Sequence, residues 1–279
     1  MILIADSGST KTEWSLIAKD NDIRNFQTIG FNPYFIDSQG IEAELEKNLL
    51  PFVNEKQITN VFFYGSGCSS LQKKDIIREP LEGFFRLANV EVEHDLLAAA
   101  RSLCGTESGI ACILGTGSNS CLYNGSEILE NVESVGYMFG DEGAGVYIGK
   151  ALISFYLRNE LPLDLRKLFE QKYPFRFNHI LDAVYKQAFP NRFLASFSIF
   201  LAENISHPFI YQIIADAFDK FFLYQISHYS NYNNQPLSCT GSVGYYYQDI
   251  LRAVAKKWNV NVKTIEKTPM NGLIKYHTK

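Results

Sequence analysis

The sequence predicts an α/β chain carrying a duplicated unit, and three observations lead there. The chain has 279 residues, too long for a typical single core and suited to two domains of about 100–170 residues each. An apolar run, a turn of small residues and a second apolar run occur at residues 2–18, and the same grammar returns at 110–123. Further short strand patterns at 61–64, 90–95 and 236–239 each lead through a small or acidic residue into a helical pattern.

Composition narrows the class. Hydrophobic content of 46% and charged content of 20% are ordinary for a globular protein. A net charge of −4 supplies no broad basic field, so a nucleic-acid partner is not expected. No apolar run approaches 18 residues and no leader pattern opens the chain, so a soluble cytoplasmic protein without a membrane partner is expected. The five cysteines form no C-x-x-C pair and read as free thiols in a reducing compartment, and the five histidines show no metal-ligand spacing.

The leading hairpin joins residues 2–5 to 12–18 through DSGSTKT at 6–12. Backbone N–H groups of such a turn form a concavity for an anion. Thr10 adds a hydroxyl, Lys11 a positive charge, and Asp6 at the strand end could hold a cation or a water. A P-loop is rejected, because it needs a second glycine directly before Lys-Thr and a helix after it. A plain surface hairpin stays open at this point.

A third strand spans 23–29 and runs into GFNP at 30–33, where Asn32 suits a turn. Ser38 is expected to cap a helix through Leu50, given Ile41, Leu45 and Leu49 at helical spacing. Strand 61–64 ends in Gly65-Ser66-Gly67. Residues 70–87 read as a helix interrupted by Pro80, and 90–95 alternates as a strand does.

Asp95 closes that strand and opens the helix LLAAAR. It is either the helix N-cap or, at the carboxyl end of a strand where α/β proteins bind ligands, a base that accepts a proton from a bound hydroxyl. His94 falls on the opposite face of a regular strand and reads as structural.

Residues 110–114, GTGS at 115–118 and 120–123 repeat the strand, loop, strand pattern. The two similar loops are expected to face one another across a cleft. GYMFGDEGAG at 136–145 then sets an acidic pair among four glycines before a helix over 146–157. Its acids either favour the helix N-terminus or bring Asp141 to a polar substrate, for which fixed acceptors and donors suit sugar hydroxyls.

Residues 163–232 are mostly helical, with breaks at Pro174, Pro190 and Pro208, and their Phe and Tyr side chains read as core. TGSVG at 240–244 opens a helix over 245–258 and lets a flat ligand or a phosphate approach the backbone. A last strand at 260–265 and a terminal helix at 271–276 complete the chain.

DSGSTKT, HDLLAAA at 94–100, LGTGSNS at 114–120, GYMFGDEGAG and TGSVG, in this order, resemble the BadF/BadG/BcrA/BcrD-type ATPases, and within them the N-acetylglucosamine kinases. The resemblance spans nearly the whole chain. It implies two similar ribonuclease-H-like (actin-like ATPase) domains, 1–107 and 108–279, with a nucleotide cleft between them and the last helix (about 268–279) packing back on the first.

It further implies ATP held by Ser9, Thr10, Lys11 and Thr116 at its phosphates and by Gly241 and Ser242 at the adenosine. Asn32, Asp95, Ser118, Asn119, Gly136 and Asp141 match sugar-contacting positions, and Asp95 matches the catalytic base. The same resemblance implies Mg²⁺ between the nucleotide phosphates with Asp6 nearby, acting through water, and a homodimer as the assembly. Tyr137 stands where animal enzymes often carry tryptophan before GDEG. The cysteine pair of the iron–sulfur activator branch is missing, so that branch is discounted.

The activity implied is an ATP-dependent amino-sugar kinase acting on a primary hydroxyl. The alternative is a nucleotide-dependent sugar-sensing or regulatory ATPase that transfers no phosphate. The grouping of Asp95 with Asn32, Asn119 and Asp141 favours the kinase.

Overall fold

The computed structural model describes residues 1–8, 10–18, 22–174 and 177–278. It divides into two compact units, Met1–Gly105 together with Pro269–Lys279, and Thr106–Thr268.

In the first unit β1 (Ile2–Ser7), β2 (Lys11–Ile17) and β3 (Ile23–Ile29) form an antiparallel meander. β4 (Asn60–Gly65) and β5 (Asn89–His94) then add in parallel, giving the order β3-β2-β1-β4-β5. The connections are α1 (Ser38–Asn48) and α2 (Leu71–Phe84), and α3 (Asp95–Cys104) follows β5.

Both faces of this sheet are covered, so its central strands read as continuous apolar runs. Leu3, Ala5, Trp14, Val61 and Phe63 face one core with Ile41, Leu45, Ile77 and Leu81. Ile4, Ile17 and Tyr64 face the other with Ala98, Met270 and Leu273. The latter two belong to the C-terminal helix, Met270–His277.

The second unit repeats the arrangement. β6 (Gly109–Leu114), β7 (Ser118–Tyr123) and β8 (Ile128–Glu130) are antiparallel, and β9 (Leu237–Thr240) and β10 (Val262–Glu266) are parallel to β6. Read from the β8 edge the order is β8-β7-β6-β9-β10, the same as in the first sheet. Among the described residues the strands therefore form two five-stranded mixed sheets of one topology, as the repeated grammar predicts.

The second unit also carries α4 (Gly136–Phe139), α5 (Gly145–Leu157), α6 (Leu163–Lys172), α7 (Phe177–Tyr185), α8 (Pro190–Ser196), α9 (Ser198–Glu203), α10 (Pro208–Tyr224), α11 (Ser242–Tyr246) and α12 (Gln248–Lys257). Pro190 and Pro208 sit at the first positions of α8 and α10, where a missing N–H costs nothing. Phe169, Phe197, Phe200, Phe218, Phe221 and Phe222 are core, as expected.

Four local expectations are corrected. Asp37 rather than Ser38 caps α1, accepting from the Gly40 N–H at 2.9 Å. The Ser38 hydroxyl instead donates to the Ile76 carbonyl at 3.0 Å. That carbonyl is the one Pro80 cannot serve, four residues on, and α2 runs through Pro80 unbroken. The helix expected over 245–258 is two, parted at Tyr247, whose hydroxyl donates to the Ser198 carbonyl at 2.6 Å. Finally, β1 continues through Asp6 to Ser7.

Candidate active site

Register places Asp6 and Asp95 at one edge of the first sheet. Ser7 pairs with Gly65 and Gly65 with His94, so the carboxyl ends of three parallel strands lie in a row. Asp6 stands one residue before that row and Asp95 one residue after it. Ligands of open α/β sheets bind at this end.

Asp95 is the first residue of α3 and not its cap. His94 is the cap, its Nδ1 accepting from the Leu97 N–H at 3.2 Å. The Asp95 carboxylate accepts from its own N–H and that of Leu96, yet burial outweighs both and pushes it up to about 6. Asp6 rises to about 7, from burial first and then from the charges of Asp95 and Glu13, against the pull of Lys11. Both carboxyls are recessed yet keep some solvent access, which suits groups that exchange a proton near neutral pH.

A hydroxyl network ties the hairpin to Asn32. Ser7 Oγ and Thr12 Oγ1 lie 2.7 Å apart, and both accept from the Phe31 N–H, at 2.9 and 3.3 Å. Thr12 Oγ1 also donates to the Ile29 carbonyl at 2.9 Å. Asn32, buried beside this network, accepts from the Tyr34 N–H at 3.0 Å and donates to Ser66 Oγ at 3.4 Å. Gly67, at φ +83°, leaves the room that Asn32 fills.

In the turn itself the Gly8 N–H donates to the Lys11 carbonyl at 3.0 Å. Thr10 and Lys11 are exposed, and Lys11 pairs with Glu13. Ser9 lies outside the described residues.

In the second unit the loop after β6 is tied to the start of α5. The Gly145 N–H donates to the Gly115 carbonyl at 2.8 Å, and the Val146 N–H to that of Thr116 at 3.0 Å. Asp141, buried at φ +58°, accepts at Oδ1 from the Ser118 N–H and from Ser134 Oγ, both at 3.0 Å. A Cβ on Gly117 would stand 3.1 Å from both Asp141 carboxylate oxygens, so the loop needs glycine to admit this acid.

Asn119 Oδ1 accepts from the Ser120 N–H and from Asn131 Nδ2, at 2.9 and 3.1 Å. Gly136 opens α4 at φ +72°. Gly241 has φ +119°, and a Cβ there would collide with the Leu114 carbonyl. Ser242 begins α11 and is exposed.

The fold therefore groups Asp6, Thr10, Lys11, Asn32 and Asp95 in the first unit. It groups Thr116, Ser118, Asn119, Gly136, Asp141, Gly241 and Ser242 in the second. Sequence reasoning missed Ser7 and Thr12 as partners of the Phe31 N–H, Ser66 as a partner of Asn32, and Ser134 and Gln225 as partners of Asp141 and Ser118. Small hydroxyl residues in Gly-rich turns gave no signal of which partner each would take.

The chain is similar to a candidate N-acetylglucosamine kinase of Porphyromonas gingivalis, with 42% identity over 99% of this chain and 98% of that one, at a TM-score of 0.94. The chain belongs to this N-acetylglucosamine-kinase-like family. A second candidate N-acetylglucosamine kinase, from Chromobacterium violaceum, shares the fold at 14% identity and a TM-score of 0.75, covering 99% and 98% of the two chains.

A ROK family glucokinase of Streptomyces griseus, solved with glucose and AMPPNP, shares it at 13% identity and a TM-score of 0.54, over 98% and 97%. No protein-family model matches the chain, and no curated protein does. The two sheets of one topology are thus the duplicated ribonuclease-H-like units of the actin-like fold. No described helix is long and apolar enough to cross a membrane.

Proposed function

We propose that the chain is an ATP-dependent amino-sugar kinase that phosphorylates the primary hydroxyl of N-acetylglucosamine or a close relative. The observation that carries this reading is Asp95, a recessed carboxyl held near neutral at the carboxyl end of β5. A base is most effective when its proton affinity lies near the working pH. Asp95 accepts the proton of the sugar hydroxyl as that oxygen bonds to the γ-phosphorus and the bond to the ADP oxygen breaks. Asn32, Ser118, Asn119, Gly136 and Asp141 hold the sugar. Ser9, Thr10, Lys11 and Thr116 hold the phosphates, and Gly241 and Ser242 meet the adenosine.

Mg²⁺ fits this donor set only as an ion shared with the nucleotide. Among the described residues no group of three or more His, Cys, Asp or Glu could hold a metal. Mg²⁺ commonly takes one or two carboxylates and completes its shell with water and phosphate oxygens. Asp6, a carboxylate whose charge is disfavoured by burial and by Asp95, is the side chain here that a cation would relieve. When bound, the ion would neutralise charge on the transferring phosphoryl group.

The test is ADP release from Mg-ATP across N-acetylglucosamine, glucosamine, N-acetylmuramic acid, N-acetylmannosamine and glucose, with products weighed by mass spectrometry. A sugar phosphate from one of them is expected. ADP release without any sugar phosphate would replace the kinase with the regulatory ATPase.

A further inference from the structure

A buried polar chain runs behind Ser118, and its direction is set at one end by a group that can only donate. The Val132 N–H donates to the Tyr229 hydroxyl oxygen at 3.1 Å. Tyr229 therefore spends its own proton on its other partner, Ser120 Oγ, 2.8 Å away. Ser120, having accepted, donates to Gln225 Oε1 at 3.0 Å. The amide is thereby oriented, and Gln225 Nε2 donates to Ser118 Oγ at 3.2 Å.

Gln225, Ser118 and Ser120 are all buried, and Tyr229 is 2% exposed, so water does not scramble this order. Turning the amide over would give Ser120 two donors and leave its own proton unpaired, at the cost of a buried unmet group. Ser118 Oγ thus accepts from within, and among the described residues no acceptor takes its proton.

We propose that Gln225 is a positioning residue that fixes the Ser118 hydroxyl as a hydrogen-bond donor toward the bound sugar, so that the sugar group seated there is an acceptor oxygen. This rests on the reading of Ser118 as a sugar contact. A group with only protons to offer, such as an ammonium, is refused at this position. Asp141 complements it: Oδ1 already takes two donors, from Ser118 N–H and Ser134 Oγ, and the carboxylate can only accept from the ligand. The site then reads a donor and an acceptor on the sugar in fixed places.

The test measures N-acetylglucosamine binding by calorimetry for the parent, Gln225→Glu, Tyr229→Phe, Ser118→Ala and the two doubles with Ser118→Ala. Gln225→Glu keeps the shape but turns the Nε2 donor into an acceptor, so Ser118 must donate inward. Affinity is expected to fall about tenfold, the scale of one hydrogen bond lost with its partner left buried. Tyr229→Phe keeps the ring in the core, takes the acceptor from the Val132 N–H and unpins the chain, so a fall of about two- to fivefold in sugar affinity is expected, on the scale of a partial bond.

In the Ser118→Ala background neither change is expected to weaken binding further, because each acts through that hydroxyl. Equal losses with and without Ser118 would overturn the proposal, as would unchanged affinity in Gln225→Glu. A parent that binds none of the five sugars above would remove the sugar site itself, and this proposal with it.

Discussion

Asp95, at the start of α3, raises the proton affinity of Asp6, at the end of β1. Each carboxyl is recessed, and together they sit up at about 7 and about 6. Under the proposed kinase reading, Asp95 would face the hydroxyl proton and Asp6 the cationic charge. The Asp95→Asn variant is expected to keep sugar affinity while turnover drops by about two orders of magnitude or more, the scale of general-base catalysis. In the parent, turnover is expected to fall as pH drops through about 6, where Asp95 takes up its proton. Calorimetry with N-acetylglucosamine and a steady-state pH profile check both parts. Near-normal turnover in the variant would end the base assignment.

Asp6 also makes a statement about stability. Its folded value of about 7 lies above its ordinary value of 3.8, so between the two the folded chain holds a proton that the unfolded chain has lost. Its contribution to stability therefore declines as pH rises through that window, and the penalty persists at pH 8. Asp6→Asn is expected to melt higher than the parent at pH 8 and to match it at pH 4. Thermal denaturation at the two pH values reads this directly. An equal or lower melting temperature at pH 8 would show that the Asp6 charge is not costly there.

The cap of α3 supplies a third expectation. His94 Nδ1 accepts the Leu97 N–H, a bond that alanine cannot replace and asparagine can. Loss of a cap costs about 0.5–2 kcal/mol. His94→Ala should be destabilised on that scale in urea, and His94→Asn should recover most of it. Equal losses in both variants would mean that the histidine contributes packing rather than the cap.

Much of this molecule was legible in order. The hairpin and the repeat at 110–123 are carried by apolar runs largely buried on both faces, which leaves little freedom in reading them, while the third strand is mostly exposed and is fixed by its pairing with β2. Asp95 was legible as a residue at a strand-to-helix junction. Of its two readings the cap falls to His94, because sequence does not say whether His94 or Asp95 leaves the strand first. Pro80 was read as a break because its remedy, the Ser38 hydroxyl on the Ile76 carbonyl, comes from another helix.

Gln225 was illegible for the same reason. It lies just past α10 among aromatic core residues, and its two partners are more than a hundred residues away in the chain. Long-range pairing of small polar groups leaves no local pattern.

Gly241 is expected to tolerate no side chain. Its φ of +119° disfavours any L residue, and a Cβ would meet the Leu114 carbonyl, a backbone atom that cannot swing away. Gly241→Ala should cost about 1–3 kcal/mol, the range for strained backbone positions, and should weaken nucleotide binding if the turn meets the adenosine. Denaturant melts and titration with ADP separate the two effects. An unchanged melt would show that the turn relaxes.

The C-terminal helix gives a pH effect of the opposite sign to that of Asp6. His277 stacks on Phe62 at 3.7 Å between ring centroids, and its Nε2 lies 2.8 Å from the Tyr64 hydroxyl. Arg101 donates to that same hydroxyl at 2.6 Å and to Glu91 at 2.5 Å. Burial, and then the Arg101 charge, push His277 down to about 4 from an ordinary 6.5. Between those values the unfolded chain binds the proton that the folded one refuses, so this contribution is intact above pH 6.5 and is lost as pH falls toward 4. His277→Gln removes the titration and can keep a partner for Tyr64. The parent is expected to lose stability relative to the variant between pH 7 and pH 4.5, read by urea denaturation at both. A difference that does not change with pH would mean that His277 carries the same protonation folded and unfolded.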